Sequence, residues 1–304
     1  MGNALPRLHQ DEAARIEVVA RGALRAADIW HVVPTPLDVL TDALDLFPVQ
    51  DLFDLGSAPP RLAERVAKLR RKVVGALAIQ ERTVYVDLSQ PIGPRRFTHG
   101  HELGHRVLRG HEQLYFADDS TTVHPAVRDL LEAEANQFSA DVLYQVDLFT
   151  EMAASFRGTG LAIPIQLADD FETSIHSTIR RYVEASPRPC ALAVIGRYPV
   201  HPGGHRSAKV LQTLESGAFE HRYGRLAGLL EPHLPIDGSG LGADVDAVLR
   251  GTAEPVLRGH HLLRDTRRGD VMMNTEVFYN QYQVFALVYP VRRLQRSSPE
   301  VRYA

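Results

Sequence analysis

Two histidines four residues apart, with a glutamate directly after the first, constrain this sequence more than any other feature; they are His101, Glu102 and His105. On an α-helix, side chains four residues apart project from the same face, so both imidazoles can reach one metal ion. Glu102 lies beside the pair and can act as a base on water without binding the ion itself. The segment therefore predicts a helix that carries two metal ligands and a carboxylate base.

The surroundings of this motif strengthen the metal interpretation, because the motif alone is only moderately specific in a chain with 14 histidines. Residues 73–79 and 83–88 have the composition of two strands in a hairpin, and a helix is predicted from residue 95 to residue 109. Phe97, Leu103 and Val107 give that helix apolar contacts. We therefore expect the metal-binding helix to follow a hairpin and to be packed into the fold.

A third ligand is expected from the helix predicted at residues 126–154. Catalytic zinc sites often combine two histidines with one carboxylate and leave a fourth position open. This helix offers two candidates, Glu132 and Glu134. Its apolar stripe favours Glu134 as the inward carboxylate, whereas Glu132 shares a polar face with Asn136 and Ser139, where Asn136 is expected to hold the Glu132 carboxylate. The helical pattern by itself leaves both glutamates open.

Two longer patterns lie on these helices. The first is R-x-F-T-x-x-H-E-x-x-H, which ends at His105, and the second is E-x-E-A-N-x-F-x-A, which begins at Glu132. Together they resemble the ImmA/IrrE family of zinc metallopeptidases, over a stretch from residue 75 to about residue 182. The resemblance implies that His101, His105 and Glu132 bind Zn²⁺ and that Glu102 is the catalytic base. It also implies a site-specific endopeptidase that cleaves a helix-turn-helix transcriptional repressor and so derepresses mobile-element or stress-response genes.

The sequence departs from the family pattern at two places. His99 and Gly100 stand where a small apolar pair is usual before the first zinc histidine, and Glu172 stands where glycine is usual. The second departure weakens the match of residues 163–185 to a helix-turn-helix.

The distribution of helical and strand-like segments predicts an α+β fold in two domains. Residues 1–186 are expected to form a mainly helical, zincin-like peptidase domain with a small hairpin and a helix-turn-helix-like segment at about 163–185. Buried strands are predicted at 191–195 and 284–289, with glycine-rich loops between them. Residues 187–304 therefore predict a smaller α/β domain, with a role in sensing or substrate docking.

Composition limits the partners and the compartment. The net charge is -3 and the pI about 6.5, so we do not expect direct binding of nucleic acid. No apolar run approaches the ~20 residues that a membrane-spanning helix needs. The single cysteine, Cys190, allows no disulfide within the chain and is expected in the core. These features predict a soluble, cytoplasmic protein, and the family resemblance implies that its partner is a protein substrate.

The remaining histidines with a possible role are expected outside the metal site, in structural, helix-end or loop positions: His99, His111, His201, His205, His260 and His261. No residue is identified that would stabilise the oxyanion, although Tyr144 and His176 are considered. A second hypothesis stays open: a non-catalytic regulatory binding protein with a structural zinc site. Glu102 favours the enzyme, because a closed structural site has no need of that carboxylate.

Overall fold

The computed structural model describes residues 6, 8–49, 75–78, 83–111, 124–196, 206–236, 239–263 and 269–291 of the 304. The chain forms two compact units, the first comprising Met1–Ser155 and Ile165–Thr178, and the second comprising Phe156–Pro164 and Ile179–Ala304. Helix and strand are mixed, as the predicted fold class requires. Within the described ranges, no helix is both long enough and apolar enough to span a membrane.

Helices dominate the part of the chain before residue 186. Its described elements are α1 (Gln10–Ala26), α2 (Leu37–Ala43), β1 (Phe47–Val49), β2 (Gly75–Ala78), β3 (Thr83–Val86), α3 (Ile92–Val107), α4 (Pro125–Leu143), α5 (Leu148–Ser155), α6 (Ala162–Asp170) and α7 (Ile175–Ala185). The three strands form a small sheet in the order β1-β3-β2, in which β1 is parallel and β2 antiparallel to β3. The β2–β3 pairing confirms the predicted hairpin.

The core of the first unit holds α1 and α3 together with α4. Ile16, Ala20 and Leu24 recur every fourth residue of α1 and are fully buried, as the helical period predicts. They belong to the same apolar cluster as Leu103 of α3 and Phe138 of α4. Each such buried leucine or phenylalanine contributes about 1.5–3 kcal/mol to stability. This apolar packing holds α1, α3 and α4 in place, so that side chains on their polar faces come into contact.

Two glycines allow α3 to approach α4 closely. A Cβ atom on Gly100 would lie 2.7 Å from the Ser139 hydroxyl oxygen, and one on Gly104 would lie 3.2 Å from the Ala135 Cα atom. Gly100 and Gly104 are one helical turn apart on the same face of α3, so two successive positions at the contact with α4 lack a side chain. His101 and His105 each directly follow one of these glycines, which brings the histidines within reach of side chains on α4.

The long helix predicted at residues 126–154 is wrong, because α4 ends at Leu143 and α5 begins at Leu148. Gln145 and Val146 both have φ of 52°, a left-handed conformation that interrupts the helix. The buried Gln145 amide compensates for this conformation through distant hydrogen bonds, since it accepts from His31 N and donates to Thr35 Oγ1. A tertiary interaction therefore overrides the local helical pattern.

The second unit is built around a six-stranded sheet. Its described elements after residue 190 are β4 (Ala191–Ile195), β5 (Ser207–Glu215), α8 (Gly217–Tyr223), a 3₁₀ turn (Leu226–Gly228), β6 (His233–Pro235), α9 (Leu241–Leu249), β7 (Val256–Leu263), β8 (Val271–Tyr279) and β9 (Val284–Pro290). The strand order is β6-β5-β4-β9-β8-β7, and every pairing is antiparallel. The central strands β4 and β9 are the two strands that the apolar runs predicted.

The expectation of glycine-rich loops between those two strands is wrong, since β5 to β8 and two helices lie there. Strand β7 shows why the pattern failed. It contains Arg258, Gly259, His260 and His261, is only partly buried, and lies at the edge of the sheet. A half-buried edge strand has no continuous apolar run to reveal it.

Candidate metal centre

Three side chains predicted as ligands meet between α3 and α4. His101 and His105 lie one turn apart on α3, and their Nε2 atoms are 3.0 Å apart. Glu132, in the second turn of α4, places one carboxylate oxygen 3.4 Å from His101 Nε2 and the other 3.7 Å from His105 Nε2. One ligand atom from each residue lies within 4.8 Å of the others, a spacing that could hold a metal ion.

These distances fit a zinc ion in the space between the three groups. A tetrahedral ion with bonds of about 2.0–2.1 Å separates its ligand atoms by about 3.3 Å. The separation of 3.0 Å between the two Nε2 atoms and that of 3.4 Å from His101 Nε2 to one Glu132 oxygen lie near that value, and the other Glu132 oxygen lies 3.7 Å from His105 Nε2. Two imidazole nitrogens and one carboxylate also match the donor set of catalytic zinc sites. The residues present therefore fit the ion that the motif implies.

The protonation states of His105 and Glu132 also suit a metal. Burial lowers the pKa of His101, but Glu132, Glu102 and Asn136 together outweigh burial and leave the pKa raised. Contact with His101 lowers the pKa of Glu132, and burial lowers the pKa of His105 to about 3. At neutral pH His105 is thus a neutral imidazole and Glu132 a carboxylate, the forms that bind metal ions.

Asn136 orients His101 and does not hold Glu132. Its side-chain oxygen lies 2.9 Å from His101 Nδ1, so it accepts the proton of a ring whose Nε2 faces Glu132. The expected contact between Asn136 and the Glu132 carboxylate is therefore wrong. Ser139, on the same face of α4, donates to the Phe97 carbonyl oxygen at 2.7 Å and holds α3 against α4.

Glu102 is buried beside the histidine pair. Burial raises the pKa of its carboxyl group to about 7, and the neighbouring His101 opposes that rise. A carboxyl group with a pKa near the working pH can both take up and give back a proton. Within the described part of the chain, no hydrogen bond to another residue occupies the Glu102 carboxylate.

His111 was missed as a neighbour of the site, and it lies between His105 and Glu134. His111 is fully buried, although it was expected as a helix-end or loop residue. Gly110, with φ of 88°, turns the chain after α3 so that the His111 ring contacts both His105 and Glu134. The burial argument for Glu134 is correct, since this residue is 4% exposed, but its carboxylate faces His111 and not the three ligand atoms.

The other residues singled out in the sequence lie elsewhere in their units. His99 contacts Thr41 Oγ1 at 2.8 Å, and burial lowers its pKa to about 4. The Tyr144 hydroxyl group donates to Ser177 at 2.9 Å. His260 and His261 are strand residues, so their placement in a loop is wrong, and His201 and His205 lie outside the described residues. Cys190 is buried, as expected.

A comparison of the sequence with known protein families gives a match that includes α3 and α4. Residues 64–182 match the family model described as Peptidase_M78, the IrrE N-terminal-like domain. The chain contains an IrrE N-terminal-like domain. The matched residues include His101, Glu102, His105 and Glu132, and they confirm the resemblance to the ImmA/IrrE family. The match indicates a metallopeptidase-like domain.

Two other comparisons complete this picture. A solved structure described as a Mycobacterium tuberculosis transcriptional regulator is similar to the chain, with 12% sequence identity and a TM-score of 0.49, and the match covers 91% of this chain and 89% of that chain. No curated protein matches the sequence.

Proposed function

We propose that the protein is a zinc-dependent endopeptidase in which His101, His105 and Glu132 hold the ion and Glu102 is the catalytic base. The observation that carries the proposal is the convergence of two Nε2 atoms and one carboxylate at 3.0, 3.4 and 3.7 Å, with a buried glutamate adjacent to the first histidine. Two helices supply these groups, so their spacing follows from helix packing and not from a mobile loop.

The proposed reaction is hydrolysis of a peptide bond. Zinc held by two histidines and a carboxylate lowers the pKa of water towards neutrality and polarises the carbonyl group that is attacked. Glu102 removes a proton from the attacking water and returns it to the nitrogen of the leaving amine. General acid–base catalysis of this kind contributes about 10²–10⁴-fold in rate.

The proposed substrate is a helix-turn-helix transcriptional repressor, whose cleavage would derepress mobile-element or stress-response genes. This part of the proposal rests on the likeness of residues 64–182 to the ImmA/IrrE family. Such a repressor is found in the cytoplasm, and we therefore propose that this protein is cytoplasmic. Residues 187–304 would sense a signal or dock the substrate. A cavity of about 1280 Å³ in the second unit, lined among others by Arg188, Tyr223 and Tyr289, is large enough for a small-molecule signal.

A regulatory protein with a purely structural zinc site is the alternative. A structural site is closed by four protein ligands, whereas the group found among the described residues has three. A structural site also gives no role to Glu102, a carboxylate that is buried beside the histidine pair. Both features favour the enzyme.

Co-expression tests the proposed function. The protein would be produced together with candidate helix-turn-helix repressors from the same genome, and each repressor would be followed by immunoblot and by mass spectrometry. The proposal predicts one new fragment with a single new N-terminus, and no such fragment should form when the purified protein and the purified repressor are mixed in the presence of a zinc chelator. Survival of every repressor intact in the presence of zinc-loaded protein would contradict the proposed substrate.

A further inference from the structure

A chain of hydrogen bonds leads away from His105 through the nitrogen that does not face Glu132. His105 Nδ1 is 2.8 Å from His111 Nδ1, and His111 Nε2 is 2.9 Å from one oxygen of Glu134. The other Glu134 oxygen accepts a hydrogen bond from Arg15. The three residues beyond His105 come from the turn after α3, from α4 and from α1.

The proton positions along this chain are mutually consistent. A His105 ring that offers the Nε2 lone pair to an ion carries its proton on Nδ1, which points at His111 Nδ1. His111 then accepts on Nδ1, carries its own proton on Nε2 and donates it to Glu134. Both rings are neutral in this arrangement, and each N–H of the chain meets an acceptor.

We propose that His111, Glu134 and Arg15 are positioning residues that hold His105 with Nε2 towards His101 and so raise the affinity of the site for zinc. This inference rests on the metal site of the proposed function. Histidine ligands commonly donate their second N–H to a carboxylate or a carbonyl group, which fixes the tautomer and increases the basicity of the ligand nitrogen. Here the carboxylate acts through a second imidazole.

The burial of His111 and Glu134 makes the hydrogen bonds between them important for stability. His111 is fully buried and Glu134 nearly so, and a buried carboxylate is stable only if its oxygens are paired. His111 pairs with one oxygen and Arg15 with the other. Arg15 lies outside residues 64–182, so helix α1 completes the support of the site from beyond the segment that the family model covers.

The first test measures zinc affinity of the full-length protein by competition with a chromogenic chelator. His111→Phe and Glu134→Ala should each lower the affinity about 10–100-fold, as loss of such supporting partners does in other metal sites. Glu134→Gln keeps an oxygen acceptor for His111 and should restore most of the affinity. Arg15→Met should also weaken binding, whereas Arg21→Met is the matched control on α1, because Arg21 pairs with other carboxylates.

The second test determines the tautomer of His105 in the zinc-free protein from long-range ¹H–¹⁵N correlation spectra. The wild type should show the Nδ1–H form, and His111→Phe should shift the ring towards the Nε2–H form. A role of His111 in packing alone would leave the tautomer unchanged.

The outcomes separate this inference from the proposed function. Wild-type zinc affinity in folded His111→Phe, or the Nε2–H form of His105 in the wild type, would overturn the inference. If His111→Phe does not fold, unchanged affinity of Glu134→Ala would overturn it equally. A wild type that binds no zinc but shows the Nδ1–H form would refute the metal site and leave the hydrogen-bond chain intact.

Discussion

Replacement of Gly100 by alanine should separate the two helices that build the site. The new Cβ atom would lie 2.7 Å from Ser139 Oγ and 3.3 Å from Ser139 Cβ, closer than side chains normally approach. The serine hydroxyl cannot simply rotate away, because it donates to the Phe97 carbonyl oxygen between the same helices. Overpacking of this kind costs about 1–3 kcal/mol.

Gly22→Ala provides the matched control for that experiment. Gly22 lies within α1 and has no atom within 4 Å of its would-be Cβ atom, so alanine there should stabilise the helix by about 0.5–1 kcal/mol. The gain in helix propensity is common to both variants. The difference between them, about 1–3 kcal/mol, therefore isolates the helix contact.

The assay is urea unfolding followed by tryptophan fluorescence. Trp30 is the only tryptophan of the chain and lies in the first unit, so its signal reports the unit that contains the site. Zinc affinity of Gly100→Ala should fall as well, since His101 directly follows the substituted residue. Equal unfolding free energies for Gly100→Ala and Gly22→Ala would refute the reasoning that the crossing requires glycine.

Three further predictions concern single groups. After dialysis, Glu132→Ala should retain far less zinc than Glu134→Ala, whose affinity falls only about 10–100-fold, and the reverse order would exchange the assigned ligand. Thr41→Val should lower the unfolding free energy by about 1–3 kcal/mol, because the partly buried His99 loses its hydrogen bond to buried Thr41, and an unchanged urea midpoint would contradict this. Burial raises the pKa of the Cys190 thiol, so iodoacetamide should label it slowly in the native protein and rapidly in guanidinium chloride; rapid native labelling would place the thiol at the surface.

The site was predictable from sequence where one helix sets the geometry. The four-residue spacing of His101 and His105 alone puts both rings on one face of α3. The apolar stripe of α4 and the family motif favoured different glutamates, because Glu132 and Glu134 have different roles on the same helix. Glu132 faces the histidine pair, and Glu134, 200° further round the helix, is buried against His111. Burial identified the second glutamate and the family motif identified the first.

Features that depend on distant residues were not predictable from sequence. His111 follows a glycine and has no periodic pattern, so only the folded turn brings it between His105 and Glu134. The break after α4 depends on Gln145, whose amide reaches Thr35, 110 residues earlier in the chain. The edge strand β7 takes its conformation from its pairing with β8 and not from an apolar run of its own.

The central claim is tested most directly by measuring bound zinc and repressor cleavage together in Glu102→Gln. Glu102 is placed as a base and not as a ligand, so the variant should keep one zinc ion per chain while its cleavage rate falls at least about 10²-fold. Glu151→Gln, an exposed glutamate on α5, should keep both zinc and activity. Near-normal cleavage by zinc-loaded Glu102→Gln would contradict the account.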